Sequence, residues 1–519
     1  MKNFSIALRS WEKILLNKNQ ISVDYEELEN ASKATFKTMK KIKAILKPRN
    51  TNEVSLVLKI ASKYKIPLYV VSAGKNWGLG SKVPMVDSVL LDLSTLNKIR
   101  KYNESLAYLT VEAGVSFRQA VQYLSKINSP LMLDTLGSTP DASIVGNTVE
   151  RGHGMALYAD RFNFVCGMEV VLPTGEIIHT GYEAFENTAI GPLAKWGVGP
   201  YIDGLFTQSS LGVVTALTIW LKPKTKFFQS FIFHLSSDAA LPPVIEKLQS
   251  ISLQGFPVSL RIFNEMRMIS FARRFPENAN KPLSKKETLS ICKEMNIGRW
   301  IGIGGLYAVS KAHAEADKIF LTELLQDHVQ SIQFYNEEYV TKEYAKATIV
   351  EKQTMDFMFN HSLLNGNISE AGLNMVYWRK PSSITIGDLH QDGCGVQWYC
   401  PAIPFTGKAV KETVSICRRL SKQYGFELNL GFLFINARTL DITGAICYDR
   451  ETPGDDEKAM QCQREIMKIL QSKGYNPYRL GIQSMDLLKN IKPENKKFLI
   501  RLKQTIDPSL IMNTSKYIF

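Results

Sequence analysis

The apolar positions switch between two periods along the first 225 residues. Phe4, Ile6, Ala7, Trp11, Ile14 and Leu15 recur at helical spacing, so residues 4–17 read as an amphipathic helix. Residues 41–50 read as a strand stopped at Pro48. Thr51-Asn52-Glu53 then opens a helix whose apolar face is Val54, Leu56, Val57, Leu58, Ile60 and Ala61. Leu68-Tyr69-Val70-Val71 is a short buried strand, so 42–71 form a strand–helix–strand unit. Further strands are expected at 89–93, 107–112, 167–172, 177–180 and 213–221, with a helix at 116–125. Beyond Lys226 the strands (231–235 among them) alternate with helices at 240–251 and 312–325, without glycine-rich loops, and a last helix is expected near 493–504.

A chain of 519 residues, 45% hydrophobic and 22% charged, is globular and long enough for more than one domain. The net charge of +14 favours an anionic cofactor, substrate or redox partner. The lysines are scattered and no zinc-finger or RNA-binding signature is present, so a nucleic-acid partner is not expected. Seven cysteines without CxxC pairs fit free thiols in a reducing compartment, and no metal site is expected. No apolar run is long enough for a signal peptide or a membrane span, so a cytoplasmic location is the expectation.

The strand 68–71 runs into Gly74-Lys75-Asn76-Trp77-Gly78-Leu79-Gly80-Ser81. Alternating glycines allow positive φ and close backbone approach, and successive N–H groups in such a turn suit a pyrophosphate. Read alone, such a string is also compatible with an ordinary turn. Three further strings follow in order: SIVGNTVERGHG from Ser143, CGMEVVLPTGE from Cys166, and WGVGPYIDGLFTQSSLGVVT from Trp196. QWYCP, ICYDR, GYNPYR and DPSLIMNTSK complete the series. Together they resemble the FAD-linked 4-cresol dehydrogenase (hydroxylating) and vanillyl-alcohol oxidase family over most of the chain.

The resemblance implies an α+β, two-domain flavoprotein. An FAD-binding domain would occupy 1–225. A substrate or cap domain with a mixed sheet and helices would occupy 226–471. The tail 472–519 would return to the FAD-binding domain. Carried over residue by residue, the cofactor-binding positions are Gly74, Lys75, Asn76, Gly78, Leu79, Gly80, Ser81, Pro140, Ser143, Ile144, Gly146, Asn147, Arg151, Gly212 and Val213. The catalytic positions are Tyr478, Arg479 and Lys516. In the family a Tyr-Arg pair and a further tyrosine stabilise a substrate phenolate. Tyr478 and Arg479 match the pair, but the further tyrosine is Leu79 here.

Hydroxylating members carry a histidine pair and an aspartate at positions matching Asp441, Ile442 and Ala445. The resemblance therefore implies that the general acid–base group is missing at that spot. At the two positions where family members attach FAD covalently stand Val396 and Asp388. His390 is the alternative anchor and Cys394 a candidate nucleophile, both equally compatible with plain loop residues. His153 is expected to face the flavin, and His179 and His234 to be ordinary strand residues. Three functions stay open: an oxidoreductase on a phenolic or benzylic carbon, one on a non-phenolic alcohol or biosynthetic intermediate, or a flavin-binding protein without catalysis. A small-molecule substrate is implied, with oxygen or a cytochrome as electron acceptor and a homodimer as the candidate assembly.

Overall fold

A computed structural model describes residues 2–257, 259–277, 279 and 281–517. The N-terminal helix Lys2–Glu12 lays Ala7 and Trp11 on the helix Thr51–Tyr64, and the Trp11 indole donates to the Val57 carbonyl at 3.2 Å. Strands β1 (Ile21–Ser22), β2 (Ile42–Leu46), β3 (Leu68–Val71) and β4 (Ser88–Asp92) form a sheet in the order β1-β2-β4-β3. The strand–helix–strand unit is present, but β4 lies between its two strands and pairs in parallel with both. Burial explains the order: all five residues of β4 are buried, as expected of a central parallel strand.

A second sheet runs β5-β6-β10-β8-β9. It comprises β5 (Ile99–Asn103) and β6 (Tyr108–Glu112), then, after the short β7 (Leu131–Met132), β8 (Val165–Val171), β9 (Ile177–His179) and β10 (Val213–Trp220). Strand β5 (IRKYN) was not expected. It is an edge strand with no fully buried residue, so it lacks the apolar alternation that marks the others. The helix Tyr25–Ala31 escaped notice for the same reason, having no buried residue.

β7 pairs with β11 (Lys222–Pro223), after which the chain enters a larger sheet. Its strands are β12 (Phe227–Leu235), β13 (Ser259–Asn264), β14 (Trp300–Ala308), β15 (Ser331–Tyr335), β16 (Cys394–Tyr399), β17 (Ala402–Pro404), β18 (Asn429–Phe434) and β19 (Thr439–Asp449). They run β15-β12-β14-β13-β18-β19-β16, with β17 also on β19. The helices Leu241–Leu253, Gly407–Tyr424 and Asp455–Ser472 cover one face of this sheet around Phe231, Phe233 and Phe432.

The C-terminal stretch returns to the first sheet. Leu68 donates to the Ile511 carbonyl at 2.7 Å and accepts from Asn513 at 2.8 Å, while the Val70 N–H reaches the Asn513 side chain. Buried Lys503 fastens this return by donating to Asp507 and to the carbonyls of Ser210 and Met512. Among the described residues no helix is long and apolar enough to cross a membrane, and no side-chain cluster has the makeup of a metal site. All seven cysteines are free and buried.

Candidate functional site

A cavity of about 380 Å³ opens where the two smaller sheets meet the larger one. Its lining draws on the glycine loop after β3, the segment 142–155, the turn before β10, the larger sheet and the C-terminal stretch. Of the cofactor positions carried over from the family, Gly74, Lys75, Asn76, Leu79, Ser81, Ser143, Gly146, Asn147, Gly212 and Val213 line it.

The other five do not, and each has a structural task instead. Gly78 (φ +73°) donates its N–H to Thr35 Oγ1 at 2.8 Å and packs so closely on Trp398 that a Cβ would sit 2.3 Å from the ring. Gly80 (φ +120°) leaves room for Ile482 in the same way. Pro140 is buried and accepts from the Arg118 N–H through its carbonyl. Ile144 is part of the hydrophobic core. Arg151 turns away, its guanidinium donating to Thr207 Oγ1 at 3.1–3.2 Å. Along this loop Ser72–Trp77, Leu79 and Ser81 line the cavity, while the N–H groups of Leu79 and Ser81 close a turn on the Asn76 carbonyl.

The residues present fit a dinucleotide. Gly74 sits at φ +66° and Ser81 at φ +53°, so the backbone folds around the cavity edge. The Ser81 Oγ is buried without a partner, a donor left for a ligand. Asn147 is oriented from behind by the buried Arg161, whose Nε donates to its Oδ1 at 3.1 Å. Nothing in the sequence had marked Arg161.

Tyr478 and Arg479 line the same cavity, held by main-chain pairing of Tyr478 to the Cys400 carbonyl at 3.0 Å. Arg479 donates to Asn76 Oδ1 at 2.8 Å, which ties it to the glycine loop, and its Nε has no partner. Burial, reinforced by neighbouring Cys400 and Asp441, pushes the Tyr478 pKa well above its ordinary value, so the hydroxyl stays a donor at neutral pH. Leu79, at the position of the absent tyrosine, is 5% exposed and contributes only apolar surface.

His153 lines the cavity, as expected. Its Nε2 lies 2.6 Å from Asp441 Oδ2, its ring centroid 5.0 Å from that of Tyr478, and its Nδ1 has no partner. β19 presents Asp441 to this histidine from 288 residues away, so an imidazole and a carboxylate meet here although Ile442 and Ala445 carry no such group.

Lys516 also lines the cavity, but its Nζ is paired with Glu150 at 2.6 Å, and Tyr517 binds the other carboxylate oxygen. Burial opposes both charges. Even so, Lys516 and Arg479 hold the Glu150 carboxyl below its ordinary 4.5, and Glu150 holds Lys516 above its ordinary 10.5. A lowered acid pKa adds stability above pH 4.5 that is lost as pH falls through the folded value. A raised lysine pKa adds stability below pH 10.5 that is lost as pH rises through the folded value. Glu150→Gln should therefore destabilise by on the order of 3 kcal/mol between those limits. The gap in Tm to the parent should narrow below pH 4.5. A gap that does not change with pH would show that the pair is not ionised as described.

The candidate anchor His390 lies off the cavity. Burial lowers its pKa to about 4, its Nδ1 has no partner, and its surroundings include Ala34 and Asp388. Cys394 is buried, and burial raises its thiol to about 12, which removes the thiolate a nucleophile needs. Of the two family anchor positions only Val396 lines the cavity, and a valine cannot attach a flavin. His179 stands on the edge strand β9, and His234 accepts from the Gly298 N–H within the larger sheet, both structural.

Two buried arginines in the wall went unremarked in the sequence, Arg261 and Arg267. Arg261, on β13, donates to the carbonyls of Met155 (2.7 Å) and Gly154. Arg267 is on the following helix, Glu265–Ala272.

Comparison with known proteins agrees with this architecture. The FAD binding domain family matches residues 42–181. The 1'-carboxy-chondrochloren decarboxylase of Chondromyces crocatus is 35% identical over 527 residues, spanning 99% of this chain and 97% of that protein. The 4-cresol dehydrogenase [hydroxylating] flavoprotein subunit of Pseudomonas putida is 27% identical, over 98% and 92% respectively. A crystal structure of p-cresol methylhydroxylase with substrate bound superposes with a TM-score of 0.90 at 25% identity, covering 100% of this chain and 97% of that one.

Proposed function

Because the chain belongs to the 4-cresol dehydrogenase type of FAD-binding flavoproteins and is an FAD-dependent oxidoreductase, we propose that it oxidises a phenolic or benzylic carbon by hydride transfer. FAD, when bound, accepts that hydride. Residues 1–225 with the tail 472–519 hold the cofactor, through Ser72–Asn76, Ser81, Ser143, Gly146, Asn147, Gly212 and Val213. Residues 226–471 cover it and shape the substrate space.

The observation that carries this reading is a half-buried tyrosine–arginine pair lining one cavity with the glycine loop. Ionising a phenol at pH 7 costs about 4 kcal/mol, three pH units at roughly 1.4 each. Charge-assisted hydrogen bonds return on the order of 1.5–3 kcal/mol apiece. Tyr478, kept protonated by burial, donates to the phenolic oxygen, and Arg479 supplies the positive charge. Asn76 orients Arg479. His153, held by Asp441, accepts or returns a proton at the imidazole. Lys516 and Glu150 fix the floor beneath them.

Leu79 favours a substrate other than a simple cresol, since one oxyanion donor is replaced by apolar surface. The Chondromyces relative, by its name a decarboxylase of a carboxylated compound, points to a biosynthetic intermediate as the second substrate class. The test is a screen of anaerobic flavin reduction with para-alkylphenols and with non-phenolic alcohols. Reduction by the phenols supports the reading, and reduction by the alcohols alone overturns it. Reoxidation in air against reoxidation by a cytochrome identifies the acceptor.

The purified protein should be yellow, with one FAD per chain released on acid precipitation, since neither family anchor position carries a histidine or tyrosine. Flavin that stays with the peptide and is lost in His390→Ala would show the opposite.

A further inference from the structure

Arg267 is a cation without a counter-ion in the wall of the cavity. It is 5% exposed. Its Nη2 donates to the Thr443 carbonyl at 2.5 Å, and its Nε has no partner. No carboxylate pairs with it among the described residues. Its polar neighbours are Cys447, Tyr399, Cys400 and Tyr478, and the Phe263 and Trp398 rings lie 5.6 and 5.4 Å from its Cζ. Burial lowers its pKa only to about 10, so it is charged at neutral pH. A buried charge is unfavourable unless something pairs with it.

The other cations of the wall are accounted for. Glu150 balances Lys516, and Arg261 donates to Gly154, Met155 and Ser259 and feels the charge of Asp134. Lys75 stands on the loop that would face the pyrophosphate, and Arg479 meets the phenolic oxygen in the function proposed above. One oxyanion can neutralise Arg479, and Arg267 then remains. The aromatic faces beside it suit the arylalkyl part of the molecule that would bring the second charge.

We propose that Arg267 binds a carboxylate carried on the side chain of the phenolic substrate. The proposal rests on the phenolic reading above and names the substrate class within it: an arylalkanoate, its phenolic oxygen at Arg479 and its carboxylate at Arg267.

The FAD-loaded protein is titrated anaerobically by calorimetry with 3-(4-hydroxyphenyl)propanoate, its methyl ester and 4-propylphenol. The acid should bind about tenfold or more tightly than the other two, the effect of one charge-assisted pair. Arg267→Met should lower the acid to the level of the ester, and Arg267→Lys should keep part of the difference. Equal binding of acid and ester by the parent overturns the proposal without any variant being needed. So does a preference that survives Arg267→Met, or a loss that falls equally on all three ligands, which would place Arg267 at the phenolic end. If no phenol binds, the phenolic reading fails and the proposal falls with it.

Discussion

Arg479→Ala should slow anaerobic flavin reduction by on the order of a hundredfold or more at saturating substrate. The guanidinium lines the cavity, is anchored to Asn76 Oδ1 at 2.8 Å, and keeps an unpartnered Nε. Its charge is half-buried at the cavity, and a preset donor there acts on charge that develops during reaction. Leu79 makes the dependence steeper, because no second tyrosine stands by to share the load. Tyr478→Phe should lose less, since it removes a neutral donor and leaves the cation. Leu79→Tyr should speed reduction by a simple para-alkylphenol. Anaerobic reduction is the quantity to measure, because it separates chemistry from reoxidation. If Arg479→Ala reduces its flavin as fast as the parent, the oxyanion is held elsewhere.

Gly78→Ala should weaken FAD binding by tenfold or more and lower Tm. Two effects add. At φ +73° a Cβ meets unfavourable backbone geometry, worth about 1–2 kcal/mol. It would also lie 2.3 Å from Trp398 Cδ1, and overpacking of this kind costs about 1–3 kcal/mol. The ring cannot simply swing aside, because its Nε1 donates to the Trp77 carbonyl at 3.0 Å. Any shift therefore moves both the glycine loop and a wall of the cavity. Gly199→Ala is the control: its φ of +94° carries the backbone strain, but no atom lies within 4 Å of the new Cβ. FAD affinity and Tm in Gly78→Ala matching those of Gly199→Ala would show that the contact with Trp398 is unimportant.

The sequence alone determined the local elements and the cofactor loop. Helix Thr51–Tyr64 and strands β3, β4 and β10 follow from apolar periodicity, because each element buries one face, or for β4 every residue, against a core that contacts it along its length. The glycine string was readable because positive φ restricts residue type wherever it occurs. Edge strand β5 was not, since half of its surface answers to solvent.

Which residues meet in the cavity was decided only by the tertiary structure. His153 and Asp441 are 288 positions apart, and neither carries a local mark of the other. Gly78 and Gly80, central to the motif, brace Trp398 and Ile482 while their neighbours line the cavity. His390 lies close in sequence to Val396 yet off the cavity, and Arg267 looks like any helical arginine until the fold places it in the wall with no carboxylate paired to it among the described residues. The physical reason is common to all of them. Periodicity records which residues are buried, whereas the partner a buried side chain finds depends on how distant strands and helices are packed, and that is set by long-range contacts.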